Sequence, residues 1–127
     1  MRPISVVLID MAPMLREIVK EAVSADGEID LVREYAHATD LAVAVERDEP
    51  DVVILGAEAA ADEHVVAALR ASPGLRILGL AADGRRLQLH QLAWRRLEFE
   101  QVSPRRILDL IHDSAIDGER IVEQHGG

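Results

Sequence analysis

Val52-Val53-Ile54-Leu55, set between Pro50-Asp51 and Gly56, has no polar residue at any position. A strand alternates its side chains between two faces, so one that is apolar throughout must be covered on both sides. This is the situation of a central strand in a parallel sheet with helices over each face. The surrounding chain repeats the theme. Ile4 to Ile9 is a short, mostly β-branched apolar run, followed by Met14, Leu15, Ile18, Val19 and Ala22 at the spacing of one helical face. Ile29 to Tyr35 predicts a second strand, and Thr39-Asp40 caps a helix carrying Leu41, Ala42 and Val45. After the central strand, a helix opening at Asp62 or Glu63 carries Val65, Val66 and Leu69 and is stopped by Ser72-Pro73-Gly74. Leu75 to Ala82 predicts a fourth strand, broken by Asp83-Gly84. A short helix from about Arg86 to Leu92, a weak fifth strand near Leu97 to Glu100, and a final helix with Ser103 as N-cap and Pro104 at its first position complete the pattern. Five strands alternating with five helices predict an open, doubly wound α/β domain.

Composition bounds what such a domain does. A chain of 127 residues, 49% apolar, supports one compact core. It has no cysteine, which excludes disulfides, thiol catalysis and cysteine-ligated metals. No basic-then-apolar leader and no long uninterrupted apolar run is present, so neither export nor membrane spanning is expected, and a cytoplasmic location is the default. The net charge of −9 argues against non-specific nucleic-acid binding, which needs a basic surface to release counterions. Arg85-Arg86, Arg95-Arg96 and Arg105-Arg106 gather in the second half, where solvated faces account for them better than a cationic patch. His37, His64, His90, His112 and His125 have no metal-like spacing, and no glycine-rich phosphate loop occurs. No metal and no cofactor is therefore expected.

In open parallel sheets, ligands and chemistry sit beyond the carboxyl ends of the strands. The residues to inspect are Asp10 and Met11, Gly56 and Ala57, Ala81 and Ala82, and Glu100 and Gln101. The segments VVLIDMAPMLREIV, DEPDVVILGAEA, PGLRILGLAA and VSPRRILDLI, in order and at matching gaps, resemble the receiver domain of bacterial response regulators, above all those joined to helix-turn-helix output domains. The resemblance runs from about Ile4 to His112. It implies a flavodoxin-like (βα)5 sandwich with a five-stranded parallel sheet of order 2-1-3-4-5, over residues 1–113, with 114–127 a C-terminal extension or linker. Within that extension, Ile116, Ile121 and Val122 fit a lengthened or additional helix.

The family's chemistry is phosphoryl transfer to an aspartate at the end of the third strand. An acidic pair after the first strand holds Mg²⁺, a hydroxyl follows the fourth strand, and a lysine follows the fifth. Carried over residue by residue, the acidic pair falls on Asp10 and Met11, the acceptor on Gly56, the hydroxyl on Ala81 and the lysine on Glu100. Phosphoryl transfer rests on positioning and on stabilising spread negative charge. Nucleophile, metal ligand, hydroxyl and cation are replaced together, and a thioether is a poor Mg²⁺ ligand. The sequence thus describes a degenerate phosphorylation site and no enzyme. Glu58 and Asp83, with Asp10, are alternative carboxylates, better read as solvent-facing loop acids, and Asp10 as a residue that bonds loop backbone.

The expected role is phosphorylation-independent regulation by protein contact, linked to transcription, as a homodimer or with a protein partner. DNA would be reached only through an output domain or partner outside this chain. In the family the surface from Arg85 to Asp113 is commonly the dimerisation and output face. Its candidate interface residues are Arg86, His90, Trp94, Arg95, Leu97, Arg105, Arg106 and Asp109. The alternative is a small-molecule sensor with a ligand in the apolar cleft around Asp10, Met11, Gly56 and Ala81.

Overall fold

The computed structural model describes residues 2–56, 62–92, 95–99, 102–112 and 121–123. In chain order the elements are β1 (Ile4–Ile9), α1 (Pro13–Ala25), β2 (Ile29–Tyr35), α2 (Leu41–Asp48), β3 (Val52–Gly56), α3 (Asp62–Ala71), β4 (Arg76–Leu80), β5 (Leu87–Gln91), β6 (Arg95–Phe99), α4 (Pro104–His112) and β7 (Ile121–Glu123). One sheet takes the order β2-β1-β3-β4-β5-β6-β7. The doubly wound flavodoxin-like fold with order 2-1-3-4-5 is therefore present, and the sheet continues beyond it.

The parallel half follows from the apolar runs. β1 pairs in parallel with β2 and β3, and β3 with β4, each connection carrying a helix. Alternate residues of each strand enter opposite cores. Val6, Leu8, Val52, Ile54 and Leu78 pack under α1 and α4, through Val19, Val23, Ile107, Leu110 and Ile111. Val7, Ile9, Val53, Leu55 and Ile77 pack under α2 and α3, through Leu41, Val45, Val65 and Leu69. Each such side chain removed from water contributes about 1.5–3 kcal/mol. On α1 the covered face is narrower than the spacing implies: Val19 and Val23 are buried, whereas Met14 is 78% exposed. α4 begins as its sequence directs, with Ser103 Oγ accepting from Arg106 N at 3.2 Å. At its other end Arg76 Nη1 donates to Leu110 O at 3.2 Å, satisfying one orphan carbonyl.

The segment expected to be a helix from Arg86 to Leu92 is instead β5, joined to β4 by the loop Ala81 to Arg86 and antiparallel to it. The residues explain why. Leu87-Gln88-Leu89-His90 alternates at period two, and Leu87 and Leu89 are fully buried in the core under α1 and α4, opposite Leu80 and Leu78. Gln88 and His90 lie on the other side, in register with Gly79 and Ile77. An antiparallel strand tolerates one wet face, so no fourth crossover helix is required over it. The segment expected as the fifth strand, near Leu97 to Glu100, is β6, which pairs antiparallel with β5 rather than in parallel. β7 then pairs antiparallel with β6, so Ile121 to Glu123, expected to be helical, extend the sheet.

Candidate functional site

Strand register brings the sequence-derived site residues to one edge. Ile9 pairs with Leu55, and Gly56 pairs with Leu80, so Asp10, Gly56 and Ala81 follow one another across the carboxyl ends of β1, β3 and β4. Their groups are committed elsewhere. Asp10 has φ 50, a left-handed conformation that Asp tolerates better than most residues. Its N–H donates to Tyr35 O at 3.0 Å, and its Oδ2 accepts from Ala38 N at 3.2 Å. The carboxylate thus holds the loop after β2. Met11 is half-buried and packs against the core under α1.

Ala81 is 2% exposed and locked in the hairpin: its N–H donates to Arg86 O at 3.0 Å and its carbonyl accepts from Gly84 N at 2.9 Å. Asp83 Oδ1 accepts from Arg85 N at 2.9 Å, a local turn of the same loop. Glu58, Trp94 and Glu100 lie outside the described residues. A cavity of about 300 Å³ beside Asp10 is lined from β1, α1 and β2, including Met11, Arg16, Glu34 and Tyr35; Gly56 and Ala81 take no part in it. Arg16 and Lys20 both pair with Glu34 at its wall, at 3.8 and 3.1 Å.

A larger groove, about 890 Å³, lies between α2 and α3. Ala42, Ala67, Ala68 and Ala71 form much of its apolar wall, and Glu46, Glu49 and His64 supply its titratable groups. Beyond β2, Tyr35 Oη donates to Asp48 Oδ2 at 2.5 Å, and Arg33 Nε lies 3.1 Å from Asp48 Oδ1. Hydrogen bonding to the Asp48 carboxylate, with burial, raises the Tyr35 phenol above its ordinary 10.0.

The expected interface residues are divided between the two faces of the sheet. His90 is in register with Ile77, on the α2 and α3 side. Arg105, Arg106 and Asp109 are on α4, which covers the opposite face, and Arg105 pairs with Asp109 at 3.5 Å. Arg86 sits in the hairpin loop, while Arg95 and Leu97 are in β6, paired with Gln91 and Leu89.

One group escaped sequence reasoning. His112 Nε2 lies 2.8 Å from Asp26 Oδ2, and its Nδ1 is 3.4 Å from Glu28 Oε2. The residues come from the end of α4, the end of α1 and the start of β2, so no sequence spacing announces them. The His112 hydrogen bond, aided by the Glu28 N–H, holds the Asp26 carboxyl below its ordinary 3.8.

The fold defines a doubly wound α/β domain with Asp10, Gly56 and Ala81 side by side at the carboxyl ends of β1, β3 and β4. The solved structures it resembles are receiver domains of response regulators. No protein-family model and no curated protein matches the chain. The isolated receiver domain of RcsB from Salmonella enterica serovar Typhimurium, solved with the phosphomimetic BeF3−, aligns with a TM-score of 0.54 at 17% identity, over 63% of this chain and 62% of that one. The receiver domain of the response regulator NarL from Mycobacterium tuberculosis aligns with a TM-score of 0.53 at 29% identity, over 65% and 68%. A structure of Salmonella typhimurium RcsB, described for its conformational dynamism in DNA interaction, gives 0.52 at 18%, over 61% and 42%. The chain thus spans less than two thirds of the RcsB chains. The likeness supports a signalling role. Among the described residues, no helix is long and apolar enough to cross a membrane.

Proposed function

We propose that this chain is a pseudo-receiver: a non-enzymatic, cytoplasmic regulatory domain that acts by protein contact, independently of aspartyl phosphorylation and upstream of transcription. One observation carries the reading. At the edge where the family places its acceptor, Gly56 offers no side chain and the remaining carboxylate, Asp10, is spent on Ala38 N. A phosphoryl group there would find no nucleophile on β3 and no hydroxyl on Ala81. Regulation then rests on a homodimer or a protein partner, and DNA is reached through an output domain or partner outside this chain. Beryllofluoride with Mg²⁺, followed by backbone amide NMR, tests it. The expected result is no shift at Gly56 and Ala81 at millimolar ligand. Saturable shifts spreading from Asp10 to α4 would overturn it.

A second reading, small-molecule sensing, is favoured by the groove between α2 and α3, whose volume falls within the range of ligand sites. It places the ligand away from the cleft at Asp10. A metabolite that raises the melting temperature of the chain but not of Ala67→Leu, which fills the groove, supports it. The same rise in both places the ligand elsewhere.

A further inference from the structure

The geometry points to a divalent transition-metal site formed by Asp26, Glu28 and His112 at the amino-terminal end of the sheet, remote from the strand ends discussed above. One ligand atom from each residue lies within 4.8 Å of the other two. The 2.8 Å between Asp26 Oδ2 and His112 Nε2 is the separation of ligands about 90° apart on an ion about 2.0–2.1 Å from each, and widening it by about half an ångström gives the tetrahedral arrangement usual for zinc.

Two of the three groups are already placed by the fold. Asp26 caps the end of α1, where its N–H donates to Val23 O at 3.1 Å and its Oδ1 accepts from Glu28 N at 2.8 Å. That leaves Oδ2 facing the histidine. His112 closes α4, whose Ile107, Leu110 and Ile111 anchor it in the core. The side chains of Asp26 and His112 are 18% and 24% exposed, enough shielding to strengthen a cation's attraction while leaving a path from solvent. Glu28 is 80% exposed and free to turn its carboxylate from Nδ1 onto the ion.

Two carboxylates and one imidazole suit a borderline ion of the zinc, cobalt or nickel kind, with water filling the remaining positions. They suit Mg²⁺ poorly, because it prefers oxygen throughout. Binding exchanges the His112 to Asp26 hydrogen bond for two metal bonds. It ties the end of the last helix to the turn between α1 and β2, elements that are otherwise joined by side-chain packing. The inference is independent of the phosphorylation reading.

The test is Zn²⁺ titration of the full chain by calorimetry, with Co²⁺ absorption as a second probe. The expected result is one saturable site per chain and a rise in melting temperature with Zn²⁺, with affinity at least about 10-fold weaker in Glu28→Gln and lost in His112→Gln. Glu28→Gln alters an exposed side chain and leaves folding intact, so its result stands even where His112→Gln destabilises the chain. No saturable binding, or binding of unchanged affinity in Glu28→Gln and His112→Gln, overturns the assignment. The latter result would place the ion on other histidines, such as His37 or His64.

Discussion

The hairpin that replaces the expected fourth crossover helix makes a prediction that separates the two conformations by side-chain energetics. A helix over 86–92 would bury Leu89 and Leu92 together, three positions apart on one face. The strand buries Leu87 and Leu89, two apart, and leaves Leu92 39% exposed. Leu87 is fully buried opposite Leu80. Leu87→Ala removes the equivalent of about three methylenes, or about 2.4 kcal/mol of transfer energy at about 0.8 kcal/mol each. Incomplete collapse of the surrounding core raises this to about 3–4 kcal/mol. Leu92→Ala removes the same atoms from a site that is already part wet and can refill with water, for about 1 kcal/mol. Urea unfolding followed by far-UV circular dichroism measures both, provided the slopes agree so that midpoints report stability alone. For a domain of this size the larger loss lowers the melting temperature by about 10 °C. Equal costs, or a larger cost at Leu92, would refute the strand and with it the account of how this part of the sheet is built.

Four further outcomes follow from particular positions. Gly84 has φ +71, where a Cβ is strained even though it would meet only Leu15 Cδ2 at an ordinary 3.4 Å, so Gly84→Ala costs about 1–2 kcal/mol in thermal melts. Gly74 has open space and no positive φ, and Gly74→Ala is neutral or stabilises by up to about 1 kcal/mol in the same assay. Asp10→Ala loses the bond to Ala38 N and places alanine at φ 50, which destabilises by about 1–2 kcal/mol while leaving the amide spectrum unresponsive to beryllofluoride. The raised Tyr35 phenol gives a sign for alkaline titration. Below the unfolded value near 10 both states are neutral and the contribution of the Asp48 bond is complete; as pH rises further, the unfolded phenol ionises first and that stability is lost. Tyr35→Phe is less stable at neutral pH and shows a shallower decline above pH 10, both read from urea midpoints across pH.

How much of this was legible depends on which force decided each element. Runs such as Val52 to Leu55 specify a two-sided buried strand without reference to distant residues, and the parallel order built on them was accessible from sequence. Leu87 to Gln91 was accessible as well, through its period of two, but the helix expected there came from extending an alternation of strand and helix beyond the residues that supported it. At the strand ends the identities of residues 10, 11, 56 and 81 can be read directly, and the register of β1, β3 and β4 brings 10, 56 and 81 to one edge. Where the Asp10 carboxylate points could not be read, because Ala38 is 28 residues away and the bond depends on the register of β1 with β2. Asp26 and His112, 86 residues apart, were illegible for the same reason.

The hairpin also bears on how a receiver fold of this kind can signal. In the resembling family, the switch couples a hydroxyl after the fourth strand to an aromatic in the fifth, and it requires that region to hold two arrangements of similar energy. Here the corresponding Ala81 is fixed at both its N–H and its carbonyl within the turn, and the next strand is joined to β4 through five registered pairs from Arg76↔Gln91 to Leu80↔Leu87. Rearranging this edge would expose Leu87 and Leu89 or break the ladder. Either change costs several kcal/mol, and on the proposed reading no phosphoryl group offsets it. A ligand or partner shifts an equilibrium only by its differential affinity for the two states, and moving a population from 1:99 to 99:1 takes about 5.5 kcal/mol. On the proposed reading, the β4 to β5 edge is therefore a constant surface. Regulation lies in whether a partner is present to meet it, rather than in a conformational change of the domain.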